Sequence, residues 1–164
     1  MTTKADFTPD EWNALLAGPM LAGMAVTIAE PSGLIGMLQE GWASAKSMLG
    51  AKSDPGASQL AKAIAEDFTT SEGRHAAQAY VKSQLTGKSA AELKPQIIGA
   101  LEKIAGILDA KAGTEAASVK AWLAQTAENV AEASKEGGFL GFGGVTVSDS
   151  EKASLADVAT ALRA

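Results

Sequence analysis

Glu72 and His75 have a spacing that could support acid-base or metal chemistry, because Glu-x-x-His puts both side chains on one helical face. His75 is the only histidine, whereas a ferritin-like di-iron site needs two such motifs and two further glutamates. Tetrahedral zinc is equally difficult to assemble in a chain without cysteine. We therefore predict no metal site, no cofactor and no catalytic residue. An enzyme built on Glu72, Arg74 and His75 is the alternative.

A second pattern is acidic, since Glu128, Glu132 and Glu136 recur every four residues. Like charges at this spacing cost a few tenths of a kcal/mol per pair, which is compatible with a surface kept for a basic partner. The other interpretation is an ordinary solvated helix face, because Glu128 and Glu132 project opposite Val119 and Val130 and Lys135 adjoins them. We predict Glu128 and Glu132 as partner contacts.

The segment from Gly137 to Gly144 holds five glycines and three large apolar residues. Interior glycines each cost a helix about 1 kcal/mol relative to alanine, so we expect a loop over 137–147. The loop lacks the Gly-Lys-Ser/Thr ending of a phosphate-binding loop. Phe139, Leu140 and Phe142 either plug one end of the fold or form an exposed tip that contacts a partner or a membrane.

Methionine and tryptophan are concentrated in the first third of the chain. Methionine fills irregular apolar space, so this group could line a cavity for a small apolar ligand, although an ordinary core is the simpler interpretation. The candidate lining residues are Trp12, Met20, Met24, Met37 and Trp42.

The amino-acid composition predicts the fold that positions these residues. The chain has 164 residues, with 34 alanines against seven valines and seven isoleucines. Alanine is the best helix former and β-branched residues favour strands, so we predict an all-α fold. Its length suits a single domain over 1–164, a bundle of six or seven helices with a short tail at 1–7.

Helix start signals divide the chain. Capping patterns predict helices beginning at Thr8-Pro9 and Ser32, at Asp54-Pro55 and Thr70, and at Ser89 and Ser148. Gly113-Thr114 separates a further helix, which is predicted to begin at Glu115. The expected ends are about Ala29, Leu49, Phe68, Thr86, Lys111, Glu136 and the carboxyl terminus. Pro95 lies six residues after Ser89, where it removes a helical hydrogen bond, so we predict a short turn followed by a kink or restart.

The first predicted helix is apolar on every side, which is typical of a helix at the centre of a bundle or in lipid. Its uncharged stretch is eighteen residues long, contains Pro19 and is followed by Glu30, whereas a bilayer span needs about 20 apolar residues. We predict a central buried helix, and a membrane-active protein using 12–38 is an alternative.

The formal charge of −5 and the presence of only two arginines argue against nucleic-acid binding, which depends on clustered basic residues. The first ten residues lack the basic start and apolar stretch of an export signal. We therefore expect a soluble cytoplasmic protein.

The segment from Ala29 to Gly33 and the helix start Val147-Ser148-x-x-Glu151 resemble small bacterial helical stress proteins of the tellurite-resistance type. The likeness covers two turns, and no site is carried over from it. The residues themselves favour a non-enzymatic binding or interaction module, with a protein partner or self-association. A carrier of a small apolar ligand is the alternative.

Overall fold

The computed structural model describes residues 2–28, 56–136 and 148–163, and within these ranges the protein is all-helical without strands. The described part of the chain forms six α-helices in one compact arrangement, in agreement with the predicted fold class. They are α1 (Pro9–Thr27), α2 (Gln59–Phe68), α3 (Ser71–Leu85), α4 (Ala90–Lys111), α5 (Ala116–Glu136) and α6 (Asp149–Leu162). Short 3₁₀ turns at Lys4–Asp6 and Gly113–Glu115 precede α1 and α5.

Helix α1 is the centre of the fold, as its apolar sequence predicts. The Thr8 amide donates to Glu11 Oε2 at 2.7 Å, and the Glu11 amide donates to Thr8 Oγ1 at 3.3 Å, which completes the predicted capping box. Every residue from Ala14 to Val26 is buried, and α1 packs against all five other described helices. Pro19 is accommodated inside the helix without ending it.

Helix α2 begins later than predicted. The sequence signal at Asp54-Pro55 predicts the start there, but the described helix begins at Gln59, capped by Ser58, whose hydroxyl accepts from the Ala61 amide at 3.2 Å. The serine hydroxyl supplies the acceptor for an unpaired amide of the first turn, which a proline side chain cannot do. Its end at Phe68 agrees with the prediction.

Helix α4 corrects the prediction of a break at Pro95, because it runs without interruption from Ala90 to Lys111. The Ser89 amide and hydroxyl both donate to Glu92 Oε2, at 2.8 and 2.6 Å, and hold the first turn in place. Pro95 removes one ladder bond close to the start, where the preceding residues have few bonds to lose.

Helices α5 and α6 confirm the later predictions. Glu115 closes the 3₁₀ turn before α5, and Ser148 and Glu151 form a complete capping box at the start of α6. The buried faces of these helices include Val119, Leu123 and Val158. The helix predicted from Ser32 lies outside the described residues. Among the described helices, none combines the length and the apolar character that crossing a bilayer requires.

Candidate interaction surface

The outer face of α5 carries the predicted acidic residues. Glu128 and Glu132 are both exposed, one turn apart, and neither forms an ion pair or hydrogen bond with another described side chain. Gln125 is exposed on the same face and donates its side-chain amide to Asn129 Oδ1 at 3.2 Å. We call Gln125, Glu128, Asn129 and Glu132 the acidic surface. The side chain of Glu136 lies outside the described part of the chain.

Three carboxylates elsewhere in the fold contrast with the acidic surface, because each has hydrogen-bond partners on other parts of the structure. Asp67, at the end of α2, accepts from Lys4 Nζ at 2.8 Å and from Trp12 Nε1 at 2.7 Å, both at Oδ2. Burial by itself raises the pKa of Asp67. The hydrogen bonds from Lys4 and Trp12 together have a larger, opposite effect, so the pKa lies below its ordinary value. Asp67 therefore fastens the amino-terminal segment and α1 to α2.

Glu115 plays a similar part at the other end of α2. Its Oε1 accepts from the Leu60 amide at 3.0 Å, which is in the first turn of α2, and its Oε2 accepts from the Thr2 amide at 2.9 Å. Burial raises the pKa of Glu115, but the amides of Thr2 and Leu60 lower it below its ordinary value. This side chain caps a helix through the amide of Leu60, which is 55 residues away in sequence.

Asp109 joins three helices. It accepts from Lys120 Nζ of α5 at 2.5 Å and from Arg163 Nη1 beyond α6 at 3.1 Å. The hydrogen bond from Lys120 lowers the pKa of Asp109. These three carboxylates are part of the internal framework, whereas Glu128 and Glu132 are not.

The alternative enzyme site is not assembled as a cluster. Glu72 and His75 are exposed on α3, and no hydrogen bond joins them in the described structure. Arg74 lies between them in sequence, but its Nη1 donates to the Thr69 carbonyl oxygen at 2.5 Å, at the end of α2. Arg74 thus has a capping role. No group of three or more metal-ligating side chains occurs within residues 2–28, 56–136 and 148–163.

Three of the predicted cavity residues belong to the hydrophobic core. Trp12, Met20 and Met24 are buried on α1, and Trp12 is also the hydrogen-bond donor to Asp67. Met37 and Trp42 lie outside the described residues, so a ligand cavity stays a prediction. Three of the five predicted partner contacts, Phe139, Leu140 and Phe142, also lie outside the described residues.

Sequence reasoning missed Asp67, Asp109, Glu115 and the buried Lys120. A capping pattern is local and readable, but these side chains meet partners separated from them by 11 to 113 residues. The one available signal was Lys120, a charged residue placed among the apolar positions of α5, because a buried lysine requires a partner.

Comparison with known proteins adds no relative. No family model matches the chain, no curated protein matches it in sequence, and no solved structure matches it in fold.

Proposed function

We propose that this protein is a helical interaction module whose acidic surface on α5 binds a basic segment of a partner protein. The observation that carries the proposal is the exposure of Glu128 and Glu132 one turn apart, with no ion pair to any side chain that the structure describes. Other carboxylates, such as Asp67, Asp109 and Glu115, are already occupied by contacts that hold the helices together.

The energetics favour a cationic occupant. Two glutamates four residues apart on one helix repel each other by a few tenths of a kcal/mol, and a lysine or arginine placed between them relieves that repulsion. The net charge of −5 attracts basic partners over a longer range and accelerates their association at low salt. A basic amphipathic helix is the simplest match, because it can place cations one turn apart against Glu128 and Glu132.

The polar and apolar parts of such a partner would have different contacts. Gln125 and Asn129 lie beside the two glutamates and can exchange hydrogen bonds with the partner's backbone or polar side chains. α5 leads directly into the segment that contains Phe139, Leu140 and Phe142, which we propose as contacts for the partner's apolar residues.

The proposal is tested by titrating the isotope-labelled protein with a synthetic lysine-leucine amphipathic peptide and following backbone amides by NMR. We expect shifts concentrated in the second half of α5 and in 137–147, weakening as salt is added. The double change Glu128→Lys and Glu132→Lys should abolish them.

The matched control is the double change Glu66→Lys and Glu72→Lys, which alters the net charge equally at two exposed positions on α2 and α3. This variant should keep the shifts on α5. Equal weakening by both variants would show binding to net charge alone, and shifts centred elsewhere would also contradict the proposal.

A further inference from the structure

The outward face of α4 contains two glycines that the packing of the described residues does not require. Gly99 and Gly106 are both exposed, and a Cβ built at either position would meet nothing within 4 Å. Each glycine makes the helix less stable than alanine would at the same position. A close approach of another backbone is the usual structural reason for glycine inside a helix, and no described element of this chain makes one here.

An acid and a base lie between the two glycines. Glu102 is three residues after Gly99 and four before Gly106, and Lys103 is four after and three before, so the charges flank the line that joins the glycines. Both are exposed, and neither has an ion pair with a described residue. The Lys103 ammonium lies 5.9 Å from the centroid of the Tyr80 ring.

We propose that a second copy of this chain docks on this face through its own α4, parallel and in register. A two-fold axis along the paired helices brings each glycine next to its equivalent. It also places Glu102 against Lys103 of the second copy, and Lys103 against Glu102 of that copy. The charge complementarity of this face with itself identifies the occupant.

The same charges select the orientation. In an antiparallel pair, residues on one side of the line that joins the glycines meet the same side of the other helix. Glu102 then approaches Glu102 of the second copy, and Lys103 approaches Lys103 of that copy. In the parallel pair each charge meets its opposite. Like charges in direct contact are unfavourable, and the parallel arrangement is therefore the one that the sequence of this face supports.

The dimer should be weak. The face extends from Pro95 to Ala110, both exposed, which is about 24 Å of helix at 1.5 Å per residue. A single helix pair of this length falls toward the lower end of specific interfaces, near or below about 1,200 Å², so we expect association in the micromolar range. This contact is separate from the acidic surface on α5, and each can fail without the other.

Cysteine trapping tests the arrangement directly, because the natural chain contains no cysteine. Gly99→Cys and Gly106→Cys are each oxidised with glutathione disulfide and followed by non-reducing electrophoresis. In the parallel pair each cysteine meets its own equivalent, so both variants should form disulfide-linked dimers much faster than the control Ala121→Cys on the exposed side of α5.

Failure of both variants to exceed Ala121→Cys would overturn the proposal. A dimer that forms only when the two variants are mixed would show an antiparallel pair and would overturn the parallel arrangement. Circular dichroism of each variant confirms that the exposed substitutions leave the fold intact.

Charge reversal provides an independent readout by sedimentation equilibrium. Glu102→Lys and Lys103→Glu should each raise the dimer dissociation constant about ten-fold, because two like-charged contacts replace two ion pairs. Combining them restores opposite charges, so the double variant should regain the dimer. A double variant whose dimer is weakened by the effects of both single changes added together would contradict the reciprocal pairing.

Discussion

The ammonium group of Lys120 on α5 is buried and lies 2.5 Å from Oδ1 of Asp109 on α4. Only 6% of Lys120 is exposed, whereas Asp109 lies at the surface and also binds Arg163. The pair therefore has a buried cation and a solvated anion, which makes the two partners unequal as targets for substitution.

Asp109→Asn should destabilise the fold more than Lys120→Met. Asparagine leaves a buried ammonium without its countercharge, whereas methionine removes that charge and keeps an apolar stem of similar length. We expect the thermal unfolding midpoint to fall by several degrees for Asp109→Asn and to change little for Lys120→Met. The control is Asp157→Asn in the exposed pair with Lys94, which should have a small effect. Equal losses for Asp109→Asn and Lys120→Met would show that the buried charge is not decisive.

Ser154→Ala should stabilise the protein. Ser154 is fully buried on α6, and its hydroxyl has no hydrogen-bond partner within the described structure. Alanine removes the unpaired polar group, so the free energy of unfolding should rise by about 1 kcal/mol in urea titrations. Ser118→Ala on α5 is the matched control, because it gains the same helix propensity at a half-buried site. A smaller gain at Ser154 than at Ser118 would argue that the buried hydroxyl is satisfied in solution.

Three glycines should respond in opposite directions to alanine. Gly99→Ala and Gly106→Ala add a methyl group to open space and should each raise the free energy of unfolding by up to about 1 kcal/mol. Gly73→Ala should lower it by about 1 to 3 kcal/mol, because its Cβ would approach the Asp67 carbonyl oxygen to 2.1 Å. Urea titrations at low protein concentration measure the monomer. Destabilisation by Gly99→Ala there would contradict the open space described at that position.

Helix starts were predictable where one residue supplied the hydrogen-bond acceptor. Thr8, Thr70 and Ser148 each cap the helix that the sequence predicted, because a hydroxyl followed by free amides is a local device. The break predicted at Pro95 was wrong, because the effect of a proline depends on how many helical backbone hydrogen bonds come before it. Helix α2 begins directly after Ser58, because its hydroxyl supplies a hydrogen-bond acceptor for an amide of the first turn.

The contacts that join helices could not be predicted in the same way. Asp67 and Trp12 are 55 residues apart, and Asp109 and Arg163 are 54 apart, so their meeting depends on how the helices pack. The spacing of apolar residues indicates which side chains face inward, but it does not identify the residues that they contact. The exposed position of Glu128 was predictable from its phase opposite Val119, because a single amphipathic helix determines it.

Acid should destabilise the fold partly through Asp67 and Glu115. The pKa of each carboxyl in the folded state lies below its ordinary value, 3.8 for Asp67 and 4.5 for Glu115, so the unfolded state binds more protons in acid. The stability that these groups contribute is complete above the ordinary values and is lost as pH falls through the lowered ones. Urea midpoints measured from neutrality to well below the ordinary values should therefore decrease in that window.

Glu115→Gln separates one part of this effect. Glutamine has one oxygen acceptor, so it can accept from only one of the Thr2 and Leu60 amides, and it lacks the charge that strengthens these hydrogen bonds. The variant should be less stable than the natural protein at neutral pH and should lose less stability on acidification. Glu66→Gln, at an exposed carboxyl without a described partner, should follow the natural pH dependence. A Glu115→Gln curve parallel to that of the natural protein would mean that Glu115 has the same pKa in the folded and unfolded states.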